Sequence, residues 1–295
     1  MGSDRLNRRQ FLGVTASLAA GTLRPGLAAA AGRKYAISLA GWSLHKMFFA
    51  KKIDQLGMVK ACGREFGIGG FEMCNVMFPS PTYDYCRQLK KVAADNNVKL
   101  LLIMCDAEGD MAHRDKKERM QAAKNHHKWI DIAAALGCHS IRCNAGHGQP
   151  GDREVIQRAA ESFSALTAYG KANGIQVIIE NHGQFSSDPD SLVALMKAVD
   201  DPYFGTLPDF GNFPKGVDIY DAVRKMMPYA KAVSAKCYDF DDTTGLETKI
   251  DFDRMMKIVT EAGYTGFVGI EFEGGRLDEK AGIQRAKALL EKLAR

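Results

Sequence analysis

Three acidic side chains stand where short apolar runs in the second half of the chain give way to glycine-containing loops. They are Glu180 in VIIENHG, Asp209 in GTLPDFGNF and Glu271 in FVGIEFEGG. Each run is typical of a short buried strand, and strands lying side by side would bring the carboxylates together. Two like charges 4 Å apart repel by about 4 kcal/mol at an effective dielectric near 20. Such a cluster needs a cation, a shared proton or a strong hydrogen-bond donor.

Short apolar runs alternate with longer amphipathic runs from Lys34 onward, and eight of them have the character of buried parallel strands. The runs are KYAISLAG, GIGGFEMC, VKLLLIMC, HSIRCNA, IQVIIEN, FGTLPDF, KAVSAKC and GFVGIEF. Helices are predicted over 115–136, 154–172, 189–199, 252–262 and 279–293, the third with Asp188 as N-cap and Pro189 in its first turn.

This alternation over residues 33–295 predicts an α/β fold, a single-domain (β/α)₈ TIM barrel. The alternative is an open doubly wound sheet, which usually carries G-x-G-x-x-G after its first strand. The corresponding LAGWSLH lacks that pattern. In a barrel the active site lies at the carboxyl ends of the strands, where all three acids are expected.

Residues 1–32 have the order of a targeting signal. Asn7-Arg8-Arg9-Gln10-Phe11-Leu12-Gly13 resembles a twin-arginine export motif, and an Ala-rich stretch with Ala-x-Ala cleavage sites follows. The apolar run is too short for a membrane anchor. We therefore expect export through the twin-arginine pathway to the periplasm or another compartment outside the cytoplasm.

Composition and charge exclude several classes of protein. The net charge is +5, but the first 32 residues hold four Arg and one Asp, so the remainder carries only +2 and no basic footprint for nucleic acid. The seven Cys show no CxxC and mostly lie in apolar segments, which indicates buried thiols rather than a disulfide framework. The sequence leaves the oligomeric state open, a homo-oligomer included.

Six motifs in strand order resemble the xylose-isomerase-like superfamily of TIM barrels, and within it the exported sugar phosphate isomerase/epimerase subgroup. The motifs are WSLH from Trp42, MCDAEGD from Met104, ENHG from Glu180, LPDFGNF from Leu207, SAKCYDF from Ser234 and GIEFEG from Gly269. The resemblance spans roughly residues 34 to 295.

The resemblance implies a divalent metal held by Glu180, Asp209 and Glu271. Oxygen ligands favour Mn²⁺ or Mg²⁺, with Zn²⁺ or Co²⁺ also used in the superfamily. It also implies that Glu180 and Glu271 move protons next to the carbonyl of a sugar, through an enediolate. Ser234 stands where relatives have a ligand His, and Asn212 stands where another His is common. Water, substrate oxygens, His147 or His182 could complete the metal shell.

Other side chains are expected to face the barrel mouth. Because residues two apart on a strand face the same way, Lys236 and Tyr238 point inward if Ser234 does, and His182 does if Glu180 does. A Lys inside an apolar strand is costly unless it is paired, so Lys236 is a candidate catalytic group. Trp42, His45, Asn144, His147, His182, Asn212 and Tyr238 are the candidate substrate contacts. Asp106, Glu108 and Asp110 are interpreted as a solvated loop, and Glu72 as either a structural or a site residue.

The predicted function is a metal-dependent isomerase or epimerase acting on a keto-sugar or polyol derivative. One alternative on the same site is a 3-keto-glycoside lyase, hydrolase or dehydratase, because elimination shares the first proton abstraction. A second is a non-catalytic sugar-binding barrel without a metal. An endonuclease on this fold is disfavoured, because it needs a His-rich three-zinc cluster and a DNA-binding surface.

Overall fold

The chain forms a barrel of eight parallel strands, as predicted. The computed structural model describes residues 32–295, so the signal peptide predicted for residues 1–32 lies outside the described residues apart from Gly32. The strands are Ala36–Ala40 (β1), Gly70–Cys74 (β2), Lys99–Cys105 (β3), Ser140–Cys143 (β4), Gln176–Glu180 (β5), Phe204–Leu207 (β6), Val233–Cys237 (β7) and Phe267–Phe272 (β8). They are hydrogen-bonded in the order β6-β5-β4-β3-β2-β1-β8-β7.

The junction between β6 and β7 is held by isolated bridges rather than a continuous ladder. Thr206 pairs with Ala230 and Asp209 pairs with Ser234, both in parallel. The Ser234 amide donates to the Pro208 carbonyl, and the Phe210 amide donates to the Ser234 carbonyl. This closure places Asp209 directly beside Ser234 at the carboxyl end of the barrel.

Helices follow the strands and cover the outside of the barrel. They are His45–Phe49 (α1), Gln55–Arg64 (α2), Tyr83–Asp95 (α3), Lys116–Asn125 (α4), His127–Leu136 (α5), Arg153–Ala172 (α6), Pro189–Val199 (α7), Ile219–Met226 (α8), Phe252–Glu261 (α9) and Glu279–Leu293 (α10). Short 3₁₀ turns occupy Gly41–Leu44, Asn75–Met77, Gln184–Ser187 and Met227–Tyr229. No helix among residues 32–295 is long and apolar enough to cross a membrane.

The single helix predicted over 115–136 is wrong, because the chain breaks it at His126. His126 Nδ1 lies 2.8 Å from the Ala122 carbonyl oxygen, the acceptor that a continuous helix offers to the His126 amide. That amide bonds instead to the Ala123 carbonyl. A side chain that competes for a backbone carbonyl in this way interrupts the regular ladder. His126 is buried, and the neighbouring His127 stacks on Tyr169, so both serve packing.

Aspartates cap many of the helices. Each accepts hydrogen bonds from backbone amides of the first turn, which stabilises a helix start by about 1 kcal/mol. These caps are Asp54, Asp115, Asp152, Asp188, Asp218, Asp251 and Asp278. The cap predicted at Asp188, with Pro189 following it, is confirmed.

All seven cysteines are buried free thiols, which confirms the sequence interpretation. The largest fully buried side chains include Phe71, Phe163 and Phe210.

The interior of the barrel also contains buried polar side chains, among them Ser38 and Glu72. Glu72 on β2 crosses it and accepts a hydrogen bond of 2.6 Å from Ser38 Oγ. A Cβ at Gly269 would lie 2.5 Å from Glu72 Oε1, so a glycine is needed on β8 for this carboxyl to fit.

Candidate active site

The three acids that the sequence singled out meet at the carboxyl end of the barrel. Glu180 ends β5, Asp209 follows β6 and Glu271 lies in β8. Each offers a carboxylate oxygen, and these oxygens all lie within 4.8 Å of one another. The three residues are 1%, 0% and 5% exposed. A buried group of carboxylates this close is stable only with strong compensation, and the neighbouring side chains supply part of it.

Ser234 lies between two of the three acids. Its Oγ is 2.7 Å from Asp209 Oδ2 and 2.9 Å from Glu271 Oε2. A hydroxyl has a single hydrogen to donate, so both contacts are full hydrogen bonds only when one carboxyl carries a proton. Burial raises the pKa of Asp209 to about 7, which is consistent with a proton held there.

Lys236 provides the cation on β7. Its Nζ lies 2.8 Å from Glu271 Oε1, 3.0 Å from Glu273 Oε2 and 3.9 Å from Asp209 Oδ2. Lys236 is 2% exposed. Burial alone would favour the neutral amine, but Asp209 and Glu271 outweigh it and raise the pKa of Lys236 well above its usual value. The side chain is therefore a charged donor inside the acidic group.

Arg142 on β4 is the second cation, and the sequence analysis missed it. Its Nε lies 2.9 Å from Glu180 Oε2, although the angle does not make a hydrogen bond. Its Nη1 donates to Asp106 Oδ1 at 2.8 Å. Burial opposes its charge, but Glu180 and Asp106 outweigh that cost and raise the pKa of Arg142 further. The pattern HSIRCNA contained the signal, since an Arg in a buried strand needs partners as much as Lys236 does.

The loop after β3 is not the solvated loop that the sequence favoured. Asp106 accepts hydrogen bonds from Arg142 and from Asn144 Nδ2, each at 2.8 Å. Burial alone would raise the pKa of Asp106, but Arg142 and Asn144 hold it below its usual value. Glu108 accepts a hydrogen bond of 2.5 Å from Trp129 Nε1. These carboxylates are held by side chains from β4, from the loop after β4 and from helix α5.

Asn212 and Asn181 fix Glu180 on β5 and Asp209 after β6. Asn212 Nδ2 donates to Glu180 Oε1 at 2.8 Å. Asp209 Oδ1 accepts the amides of Gly211 and Asn212, each at 2.8 Å. Asn181 exchanges two hydrogen bonds with the Asp209 backbone, at 2.8 and 3.0 Å. Asn212, where the resemblance led us to expect a common His, therefore holds Glu180.

Trp42 and His45 lie at the opposite side of the mouth. Trp42 Nε1 donates to Glu273 Oε1 at 2.5 Å, and the His45 ring stacks on the indole with centroids 4.9 Å apart. Glu273 was not among the predicted site residues. It links Trp42 to Lys236, and these two contacts hold its pKa below the usual value although burial opposes this.

The remaining predicted substrate contacts lie at different places relative to the three acids. Tyr238 Oη donates to the Gly211 carbonyl oxygen at 3.4 Å. A Cβ at Gly211 would lie 2.4 Å from Tyr238 Oη, so the close approach needs a glycine. His182 and Asn212 line a surface cavity of about 440 Å³. Burial lowers the pKa of His182, and Arg142 lowers it further. The structure does not bring His147 to the acids, since its exposed ring pairs with Asp110 at 3.1 Å.

The charge balance decides whether a divalent cation suits this site. Five carboxylates are in contact with two cations; they are Asp106, Glu180, Asp209, Glu271 and Glu273, against Arg142 and Lys236. If all five carboxylates and both cations are ionised, the site carries three excess negative charges. A divalent metal would reduce this excess to one. For Mg²⁺, with oxygen ligands about 2.1 Å away, two ligands lie at most about 4.2 Å apart. The residues fit such an ion after a small inward movement of the carboxylates.

Comparisons with known proteins agree with this architecture. The family model described as xylose isomerase-like TIM barrel matches residues 62–293. The structure is similar to L-ribulose 3-epimerase with a TM-score of 0.71, 18% identity, and coverage of 88% of this chain and 94% of that chain. Comparison with proteins of curated function gives no match.

Two other solved structures with the same fold are a magnesium complex and a probable dehydratase. One is a xylose isomerase-like TIM barrel protein from Mycobacterium smegmatis in complex with magnesium, with a TM-score of 0.66, 19% identity, and coverage of 88% and 97%. The other is a probable 3-DHS dehydratase from Bacillus anthracis, with a TM-score of 0.66, 16% identity, and coverage of 86% and 98%. At 16–19% sequence identity, the similarity to these solved structures shows the fold alone. By the family match over most of its length, the chain belongs to the xylose isomerase-like TIM barrel family.

Proposed function

We propose that this protein is a sugar isomerase or epimerase that removes a proton next to the carbonyl of a keto-sugar. The observation that carries the proposal is the buried group of Glu180, Asp209 and Glu271 with Lys236 at 2.8 Å from Glu271. Epimerases and a magnesium complex on the same fold support it.

Glu180, Asp209 and Glu271 would hold a divalent metal, Mn²⁺ or Mg²⁺ by the hardness of their oxygens. When bound, such an ion supplies Lewis-acid polarisation of a carbonyl and stabilises negative charge on oxygen. Asn212 orients Glu180 through Oε1, and Arg142 faces its other oxygen. Ser234 orients Asp209 and Glu271.

We assign the proton transfers to Glu180 and Glu271. Glu180 and Glu271 approach the centre from β5 and β8, so they can act from different directions on one substrate carbon. One glutamate takes the proton from carbon and the other returns it to the opposite face of that carbon, which inverts it. Return of the proton to the former carbonyl carbon, while the hydroxyl proton passes to the former carbonyl oxygen, isomerises the sugar. Lys236 presents N–H donors to a developing enediolate oxygen. Trp42, held by Glu273, offers an aromatic face to the sugar.

Elimination is the second candidate, and the position of Lys236 favours it. After the same proton abstraction, the Lys236 ammonium can donate a proton to the oxygen on the neighbouring carbon. That oxygen then leaves as water or an alcohol when the C–O bond breaks. A probable dehydratase on the same fold is consistent with this chemistry. The two reactions differ in product, since only elimination releases water or an alcohol.

The test is incorporation of deuterium from D₂O next to the carbonyl of L-ribulose or D-fructose, with protein loaded with Mn²⁺. We expect Glu180→Gln and Glu271→Gln each to lower the rate by at least about 10²-fold, in the range usual for proton-transfer groups. Glu261→Gln, at an exposed position on α9, serves as the matched control. Near-wild-type exchange in both site variants would refute the proposal, and release of water or alcohol would select elimination.

A further inference from the structure

A groove of about 680 Å³ runs beside helix α1 on the site side of the barrel. We call it the α1 groove; its lining includes Phe48, Phe49, Lys51, Lys52 and Ile53. Phe49 is 59% exposed, more than any other large apolar side chain among residues 32–295. An exposed apolar surface rimmed by polar groups marks a binding site more often than an exposed aromatic alone does. The volume is within the range of small-molecule sites.

The groove is continuous with the candidate active site through aromatic rings. Phe49 packs edge-to-face against Trp42 with centroids 6.1 Å apart, and Phe48 packs against Phe49 at 5.3 Å. Trp42 is in turn bonded to Glu273, which contacts Lys236. A molecule lying on Trp42 at the mouth can therefore extend over Phe49 without leaving the protein surface.

Helix α1, which carries Phe48 and Phe49, has its backbone anchored at both ends. Glu279 is 5% exposed and accepts the amides of Lys46 and Met47 at 2.6 and 2.9 Å, which ties the start of α1 to α10. The turn after α1 closes with the Lys51 amide on the Phe48 carbonyl, and Lys51 adopts a positive φ of 56°. A pre-organised surface loses less entropy on binding than a mobile one.

We propose that the α1 groove binds a second sugar unit, so that the substrate is a glycoside carrying a keto-sugar rather than a free monosaccharide. This inference rests on the proposed function. The apolar C–H face of a sugar ring suits the exposed face of Phe49, and its hydroxyls suit the ammonium groups of Lys51 and Lys52. The keto-sugar unit lies at Trp42 and Lys236, and the second unit lies over the groove.

The experiment compares kcat/KM for deuterium incorporation into D-fructose with that into isomaltulose and lactulose, two disaccharides that carry the same fructose unit. We expect at least one disaccharide to be preferred about tenfold, and Phe49→Ala to remove that preference while leaving the fructose rate within about twofold. Phe49→Tyr keeps the aromatic face and retains the preference. Leu246→Ala, exposed but outside the groove lining, is the matched control.

Several results would overturn the inference and still leave the proposed function standing. One is equal use of fructose and both disaccharides by the wild-type protein. Another is an equal loss on all three sugars in Phe49→Ala. A third is a change of oligomeric state in Phe49→Ala with unchanged sugar preference, which would make the groove an interface between copies. Absence of exchange with every sugar would instead refute the proposed function and the inference with it.

Discussion

Lys236 and Glu271 face each other across the β7–β8 register, with Nζ and Oε1 2.8 Å apart. The same ammonium lies 3.9 Å from Asp209. Two of the three expected metal ligands therefore already share a cation supplied by the chain. A divalent ion entering this group has to bind next to a fixed positive charge, which weakens its binding by like-charge repulsion.

We therefore expect Lys236→Met to bind Mn²⁺ more tightly than the wild-type protein, by about tenfold or more, while exchange activity falls. The substitution keeps most of the side-chain volume and removes the competing charge, so the carboxylates gain more from a metal. Calorimetric titration of metal-free protein measures the affinity. Lys231→Met, two residues before the start of β7 and outside the acidic group, is the matched control. Equal or weaker Mn²⁺ binding in Lys236→Met would contradict the idea that the lysine competes with the metal.

Arg142 is expected to be the cation on which stability depends most. It is 4% exposed and faces both Glu180 and Asp106. Removing one partner of a buried ion pair leaves an uncompensated charge and costs about 3–5 kcal/mol. Arg142→Leu should lower the free energy of unfolding by that amount in urea denaturation at neutral pH.

Arg224→Leu gives the contrast for this measurement. Arg224 pairs with Asp221 at 3.7 Å on an exposed helix surface. Exposed pairs contribute about 0–1 kcal/mol, so this variant should be close to the wild-type protein. Similar losses in Arg142→Leu and Arg224→Leu would show that Arg142 is not the buried counter-ion the structure indicates.

The position of the three acids could be predicted because it follows from local pattern. Each acid lies at or within two residues of the carboxyl end of a buried strand, and parallel strands in a barrel bring these ends together. Alternation along β7 likewise predicted that Lys236 faces inward with Ser234. The same reasoning, applied to Arg142 on β4 and Asn144 just after it, would have placed an arginine beside Glu180, so that omission was not a limit of the sequence.

Other parts of the site depend on contacts that no local pattern contains. Trp42 and Glu273 are 231 residues apart, and only the closed barrel brings the indole to the carboxylate. His147 follows β4 as Asn144 does, but its loop turns outward and pairs it with Asp110. The direction of a loop side chain is set by its neighbours in space, so strand position alone could not separate these two residues.

Glu273 should position Trp42 and Lys236 rather than transfer protons itself. Glu273→Leu removes the acceptor of the indole N–H and one partner of the ammonium. We expect a ketose KM several-fold higher with a smaller change in kcat, and a shifted Trp42 emission when Trp129, the second Trp of the chain, is replaced by Phe. Glu273→Gln keeps an acceptor and should restore most of the KM. Loss confined to kcat, without change in emission, would assign Glu273 to the chemistry instead.

Glu72 gives a prediction on pH and stability that is independent of catalysis. Burial raises its pKa from 4.5 to about 7, and its Oε2 has no hydrogen-bond partner. Between these values the unfolded chain releases the proton while the folded protein keeps it, so folding stability falls as pH rises. The loss of folding free energy reaches about 3 kcal/mol above pH 7, at 1.36 kcal/mol for each pKa unit.

The variant Glu72→Gln keeps the shape of the side chain and removes its titration. It should match the wild-type unfolding free energy near pH 4.5 and exceed it by up to that amount at pH 8.5. Burial is the largest cause of the raised pKa of Glu72, and Glu271 and Glu180 add to it, so most of the difference between the two proteins reports the titration of Glu72. Glu261→Gln on the surface should show no such divergence, and parallel pH profiles for Glu72→Gln and wild type would mean that Glu72 is ionised in the folded barrel at neutral pH.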